Sequence, residues 1–135
     1  MFSLDSWRTL QNHNQDNIVA IDFDGVINKN RKGFHDGTIY DEPIEGAIES
    51  IQEISKKYEI IIYTFKGHPD RPLVNGKTGI ELVWDWLSEV GISHCIKDVV
   101  WGKPNAFIYV DDKGYRFHNW NDTIKDIDGY FTKHK

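Results

Sequence analysis

An α/β domain with a mostly parallel sheet is predicted by three observations. Four short segments rich in apolar residues, 18–21, 59–64, 96–100 and 106–110, are too short for helices and right for strands in a sheet. Two stretches between them repeat apolar residues at three- and four-residue spacing, the period of an amphipathic helix. Polar residues able to do chemistry follow three of the runs directly: Asp22 and Asp24, Thr64, and Asp111 with Asp112. The order strand, flap, helix, strand, helix, strand, strand belongs to alternating architectures, in which crossovers bring the carboxyl ends of the strands to one edge.

Taken in order, residues 1–17 are polar and read as an arm or short helix, with Trp7 and Leu10 as anchors, leading into a single domain over 18–135. Ile18-Val19-Ala20-Ile21 is the first buried strand. Residues 25–42, rich in glycine and polar side chains with Phe34 and Tyr40 among them, read as a small flap. Pro43 suits a first helical turn, and Ile44, Ala47, Ile48, Ile51 and Ile54 extend the helix over 43–57. Thr78-Gly79-Ile80-Glu81 has the spacing of a capping box and opens a second helix. Its apolar stripe is Ile80, Val83, Trp84 and Leu87, which leaves Trp86 off the stripe, at the surface or an interface, and Gly91 closes it. A short helix is expected near 121–127, with Phe117, Trp120, Ile124 and Phe131 packing on the domain.

The 135-residue chain carries a formal net charge of −5 and is 39% hydrophobic, enough for one modest core. It has no apolar run near ~18 residues, so no membrane span is expected. The opening residues lack the basic-then-apolar order of a secretory leader. The single Cys95 excludes an internal disulfide framework and a cysteine-rich zinc site, and a cytoplasmic location is expected. The acidic balance argues against a nucleic-acid binder that depends on backbone attraction, leaving nucleic acid only as a substrate.

Two acids at i and i+2 on a strand end point the same way. Asp22 and Asp24 therefore share a crevice, into which a second acid-terminated strand brings Asp111 and Asp112. Two carboxylates ~4 Å apart repel by about 4 kcal/mol at an effective dielectric near 20. A hard divalent cation resolves that conflict, and oxygen-only donors suit Mg²⁺ better than zinc. With Thr64 and Lys103 added, the set suits phosphoryl transfer, in which positioned cations and donors meet the charge on the transferring oxygens.

The blocks Ile18-Val19-Ala20-Ile21-Asp22-Phe23-Asp24-Gly25-Val26, Ile60-Ile61-Ile62-Tyr63-Thr64, Lys103-Pro104 and Ile108-Tyr109-Val110-Asp111-Asp112 resemble the four ordered motifs of the haloacid dehalogenase superfamily. The resemblance spans roughly 18–115, and 103–112 is similar to its small capless phosphatases. It implies a Rossmann-like three-layer sandwich with a small flap and no full cap domain. It also implies Asp22 as nucleophile, Asp24 as general acid and then base, and Thr64 and Lys103 as holders of the phosphoryl oxygens. Mg²⁺ is then held by Asp22, the Asp24 carbonyl and an acid of the last motif, Asp112 directly with Asp111 in support. Two departures stand out: Lys113-Gly114 replaces the arginine that often follows the paired acids, and the loop after Thr64 lacks the common Gly-Arg, with Lys66 or Arg71 as substitutes for that charge.

The expected activity is a Mg²⁺-dependent phosphomonoesterase acting on a small metabolite, a sugar phosphate or a macromolecular end, as a monomer or homo-oligomer without membrane association. The alternative is a phosphoryl-binding, signalling or scaffold module that keeps the metal pocket without turnover. Receiver domains also join acids, Thr and Lys around Mg²⁺, but their acid pair precedes the lysine's strand, whereas here Asp111 and Asp112 follow Lys103.

Overall fold

The computed structural model describes residues 17–33, 35–114 and 116–133, without the side chains of residues 130 and 131. The expected N-terminal arm with Trp7 and Leu10, the flap's Phe34 and the packing of Phe131 lie outside the described residues. Four strands form one all-parallel sheet: β1 (Ile18–Asp22), β2 (Glu59–Tyr63), β3 (Asp98–Val100) and β4 (Ile108–Val110), in the order β3-β2-β1-β4. The registers Asp22↔Tyr63, Tyr63↔Val100 and Ile21↔Val110 bring the carboxyl ends of all four strands to one edge. The chain runs outward from β1 through β2 to β3 and returns to β4 on the other side of β1. The switch point between β1 and β4, where open α/β sheets bind ligands, therefore lies between Asp22 and the Asp111–Asp112 pair.

Helices α1 (Ala47–Ser55), α2 (Gly79–Glu89) and α3 (Trp120–Lys133) complete the α/β fold, with short 3₁₀ turns at Phe65–Gly67 and Ser93–Cys95. Alternation along the strands sends Val19, Ile21, Ile60, Ile62 and Val99 into one core with Ile51 of α1 and Val83, Trp86 and Leu87 of α2. The alternate residues Ile18, Ala20 and Ile61 are also buried, so β1 and β2 are covered on both faces. The capping box opening α2 is present: the Glu81 N–H donates to Thr78 Oγ1 (3.2 Å), and the Thr78 N–H donates to Glu81 Oε1 (3.1 Å). Among the described residues no helix is long and apolar enough to cross a membrane.

Three expectations are corrected. Pro43 does not open a helix. It bridges to Asn28, the Ile44 N–H donates to Ile27 O (2.8 Å), and α1 begins only after Gly46 at φ +84°. These pairings tie the base of the flap, and they outweigh proline's preference for a first turn. Trp86, off the apolar stripe, is core at 5% exposure: its ring meets Phe23 edge-on (centroids 5.2 Å), and its indole N–H donates to Asp41 O (3.1 Å). The flap thus covers a second side of α2, which helical periodicity alone does not reveal. The last helix is longer than expected, and Phe117, Trp120 (69% exposed) and Ile124 stand in solvent instead of packing on the core.

Candidate active site

Every predicted site residue sits on the carboxyl edge of the sheet, in two groups on either side of Asp22. The first group is built at the end of β2. Thr64 is buried and anchored by its N–H to Val100 O (3.0 Å). Its hydroxyl accepts the Lys66 N–H (3.1 Å), capping the Phe65–Gly67 turn, and donates to Asp24 Oδ2 (3.3 Å). That cap bends the chain so that Lys66 turns inward. The side chain of Lys66 is only 5% exposed, with Nζ 3.2 Å from Asp24 Oδ1 and 3.4 Å from Asn30 Oδ1. Among the described residues Asp24 Oδ1 has no hydrogen-bond partner, so the ammonium holds it by charge. Lys66 is thus the cation beside Asp24, a placement that the sequence offered only as one of two substitutes.

The second group is built at the end of β4. Asp111 Oδ1 accepts the N–H groups of Lys113 (3.2 Å) and Gly114, closing a turn of the kind Asp side chains make. Its Oδ2 accepts the Tyr63 hydroxyl (3.2 Å) and lies 3.8 Å from Lys103 Nζ. Lys103 is half exposed and rests over the Tyr109 ring, 4.5 Å from its centroid, so the structure groups it with Asp111, Tyr63 and Tyr109. Asp111 is therefore committed to local structure on both oxygens. Asp112 approaches the Asp24-Gly25 turn instead: a Cβ built on Gly25 would lie 2.6 Å from Asp112 Oδ2, and Gly25 itself sits at φ +81°. Only glycine meets both conditions.

Asp22 lies between the groups. Burial, and then repulsion from Asp112, Asp24 and Asp111, push its carboxyl up to about 6 from an ordinary 3.8, against a lowering backbone hydrogen bond from Phe23. Burial and repulsion by Asp111 and Asp22 likewise raise the Tyr63 phenol. Tyr63 was missed in the sequence. Its signal was its place beside Asp22 on the next strand, which turns both side chains to the same face. Asn28, fully buried beside Asp24, has neither side-chain amide atom hydrogen-bonded among the described residues.

The arrangement combines a half-buried carboxyl raised above its ordinary range with a second carboxylate held by a hydroxyl and a buried ammonium. Among the described residues no group of three or more His, Cys, Asp or Glu side chains is arranged to hold a metal ion. The oxygen donors near one another are the Asp22 carboxylate and the Asp112 carboxylate that repels it from beside the Asp24-Gly25 turn. That is an oxygen set matching a cation that keeps several waters. No protein-family model, curated protein or solved structure matches the chain.

Proposed function

We propose that the chain is a Mg²⁺-dependent phosphomonoester hydrolase of the small, capless haloacid dehalogenase-like type, working through an aspartyl-phosphate on Asp22. The observation that carries this reading is the convergence of Asp22, Asp24, Asp111 and Asp112 on one sheet edge, where the other three repel the charge of Asp22, with an ammonium and a hydroxyl fixed beside Asp24. Such a cluster is unfavourable alone and is suited to a dication together with a phosphoryl group. The oxygen-only donor set fits Mg²⁺, which would be held by Asp22, the Asp24 carbonyl and Asp112, with Asp111 fixing the loop that carries Asp112. When bound, the ion would neutralise the carboxylates and the phosphoryl oxygens.

In the form whose Asp24 carries a proton, an Asp22 carboxylate oxygen attacks phosphorus, the ester P–O bond breaks, and the departing oxygen takes that proton from Asp24. Asp24 then accepts a proton from water. The water oxygen attacks phosphorus, and the acyl-phosphate P–O bond breaks, restoring the Asp22 carboxylate and releasing inorganic phosphate. Thr64 orients Asp24 through its hydroxyl, and Lys66 holds the other oxygen of the same carboxylate. Lys103 contacts the phosphoryl oxygens, and Thr64 does so when its single hydroxyl proton turns from Asp24 to the bound phosphoryl group.

The test is hydrolysis of a panel of phosphorylated metabolites, nucleotides and oligonucleotide ends, with Mg²⁺ and with chelator. Release of phosphate that chelator abolishes, and that Asp22→Asn abolishes while the circular dichroism spectrum is kept, is expected. Phosphate binding with no turnover of any ester would favour a phosphoryl-binding scaffold instead.

A further inference from the structure

A cavity of about 220 Å³ lies behind Lys66, between the flap, the loop after the Phe65–Gly67 turn and the start of α2. Asp36, Lys66, Arg71, Leu73, Gly79 and Leu82 are among its walls. We propose that this cavity is a subsite for a negative charge on the leaving group, so that the preferred substrates are phosphomonoesters bearing a second anionic group a short arm away from the ester. The inference rests on the phosphatase reading above and names its substrate class.

Lys66 makes the connection. Its ammonium touches Asp24, the acid that protonates the departing oxygen, and its side chain also walls the cavity. A leaving group that has just received Asp24's proton is therefore within one side chain's reach of the cavity. The lysine is built to stay there. Its N–H is held by Thr64, its Nζ faces Asn30, and Gly79 packs so closely that any Cβ at that position would overlap the Lys66 carbonyl.

Arg71 brings a second cation to the same cavity, and a guanidinium's planar fork matches a phosphate or carboxylate. Leu82, half-buried, and Leu73, exposed at the rim, supply apolar surface for the arm that carries the charge. Among the described residues of the lining the one acid, Asp36, accepts the Thr38 N–H (3.0 Å) and hydroxyl within its own loop. The volume lies below the roughly 300–1,000 Å³ of pockets that take drug-sized ligands, so it suits a small anionic arm and not a whole nucleoside.

The test compares three esters at fixed ionic strength with Mg²⁺: propane-1,3-diol monophosphate, its bisphosphate, and 3-phosphonooxypropanoate. They share one skeleton and differ in a terminal hydroxyl, phosphate or carboxylate. The expected result is a kcat/KM for the bisphosphate at least about tenfold above the monophosphate, equivalent to about 1.4 kcal/mol and well above the statistical factor of about two for its two esters. The propanoate shows which anion the subsite prefers. Arg71→Gln should collapse the preference toward that statistical factor, chiefly through KM, and Arg71→Lys should restore part of it. Phosphatase activity with no preference in the wild-type protein, or an Arg71→Gln loss equal for all three esters, overturns the subsite alone. Hydrolysis of none of them, nor of phenyl phosphate, overturns the phosphatase reading and the subsite with it.

Discussion

The buried ammonium of Lys66 lies 3.2 Å from Oδ1 of Asp24, while Thr64 holds the other oxygen of the same carboxylate at 3.3 Å. Two residues two positions apart in the chain, Thr64 and Lys66, thus grip both oxygens of an acid about forty residues upstream. Breaking a buried pair by removing one partner costs about 3–5 kcal/mol, and less where one member is partly exposed, as Asp24 is. Lys66→Met should therefore lower stability by about 2 kcal/mol in urea unfolding. Adding Asp24→Asn should recover part of that loss, giving a coupling energy that is absent if the two residues are independent.

The close approach of Asp112 to Gly25 predicts a metal phenotype distinct from a folding one. Gly25→Ala puts a methyl group 2.6 Å from Asp112 Oδ2 at a positive φ. About 1–2 kcal/mol of stability should be lost to the backbone conformation alone. Mg²⁺ affinity, read by calorimetric titration, should weaken by about tenfold or more as Asp112 is displaced. An unchanged Mg²⁺ dissociation constant would remove Asp112 from the proposed metal site.

For Asp22 the sign of the pH effect follows from its raised carboxyl. The folded chain holds this proton more tightly than the unfolded chain, whose carboxyl titrates near 3.8. In that window the native state binds more protons, so this group's contribution to stability falls as pH rises from about 4 through about 6. A carboxyl-labelled NMR titration without metal should find the Asp22 midpoint near 6. Saturating Mg²⁺ should move it down by at least about one unit, as a neighbouring opposite charge does. A midpoint near 4 with and without metal would contradict the crowded-carboxylate account.

Trp86 predicts how the flap is held. Trp86→Ala removes both the edge-on contact with Phe23 and the donor to Asp41 O, and should cost about 3–5 kcal/mol. Trp86→Phe keeps an aromatic ring and leaves the Asp41 carbonyl without its donor, costing about 1–3 kcal/mol. Hydrogen exchange should then rise in 27–44. Equal exchange there in wild type and both variants would separate Trp86 from the flap.

Much of this fold was legible because its signals are local. Runs such as Ile60-Ile61-Ile62 are too short to be helices, Thr78 and Glu81 cap at fixed spacing, and Asp22, Thr64 and Asp111 end their runs visibly. What was not legible depends on approach between distant segments. Lys66 looks like a loop lysine until Gly79, thirteen residues on, packs against its backbone and buries it. Trp86 is off its helix's stripe until the flap covers it, and Pro43 is drawn from helix to bridge by residues 27–29. The apolar spacing at Trp120, Ile124 and Ile127 announces a helix and says nothing of what that helix packs on; all three are exposed.

The most direct measurement of the central claim is a rapid acid quench with ³²P-labelled phenyl phosphate and Mg²⁺, followed by borohydride reduction and peptide mapping. The account predicts that label accumulates on the wild-type chain within the first turnover and that reduction converts Asp22 to homoserine, with neither event in Asp22→Asn. Steady phosphate release with no labelled chain, at a rate that Asp22→Asn retains, would contradict it.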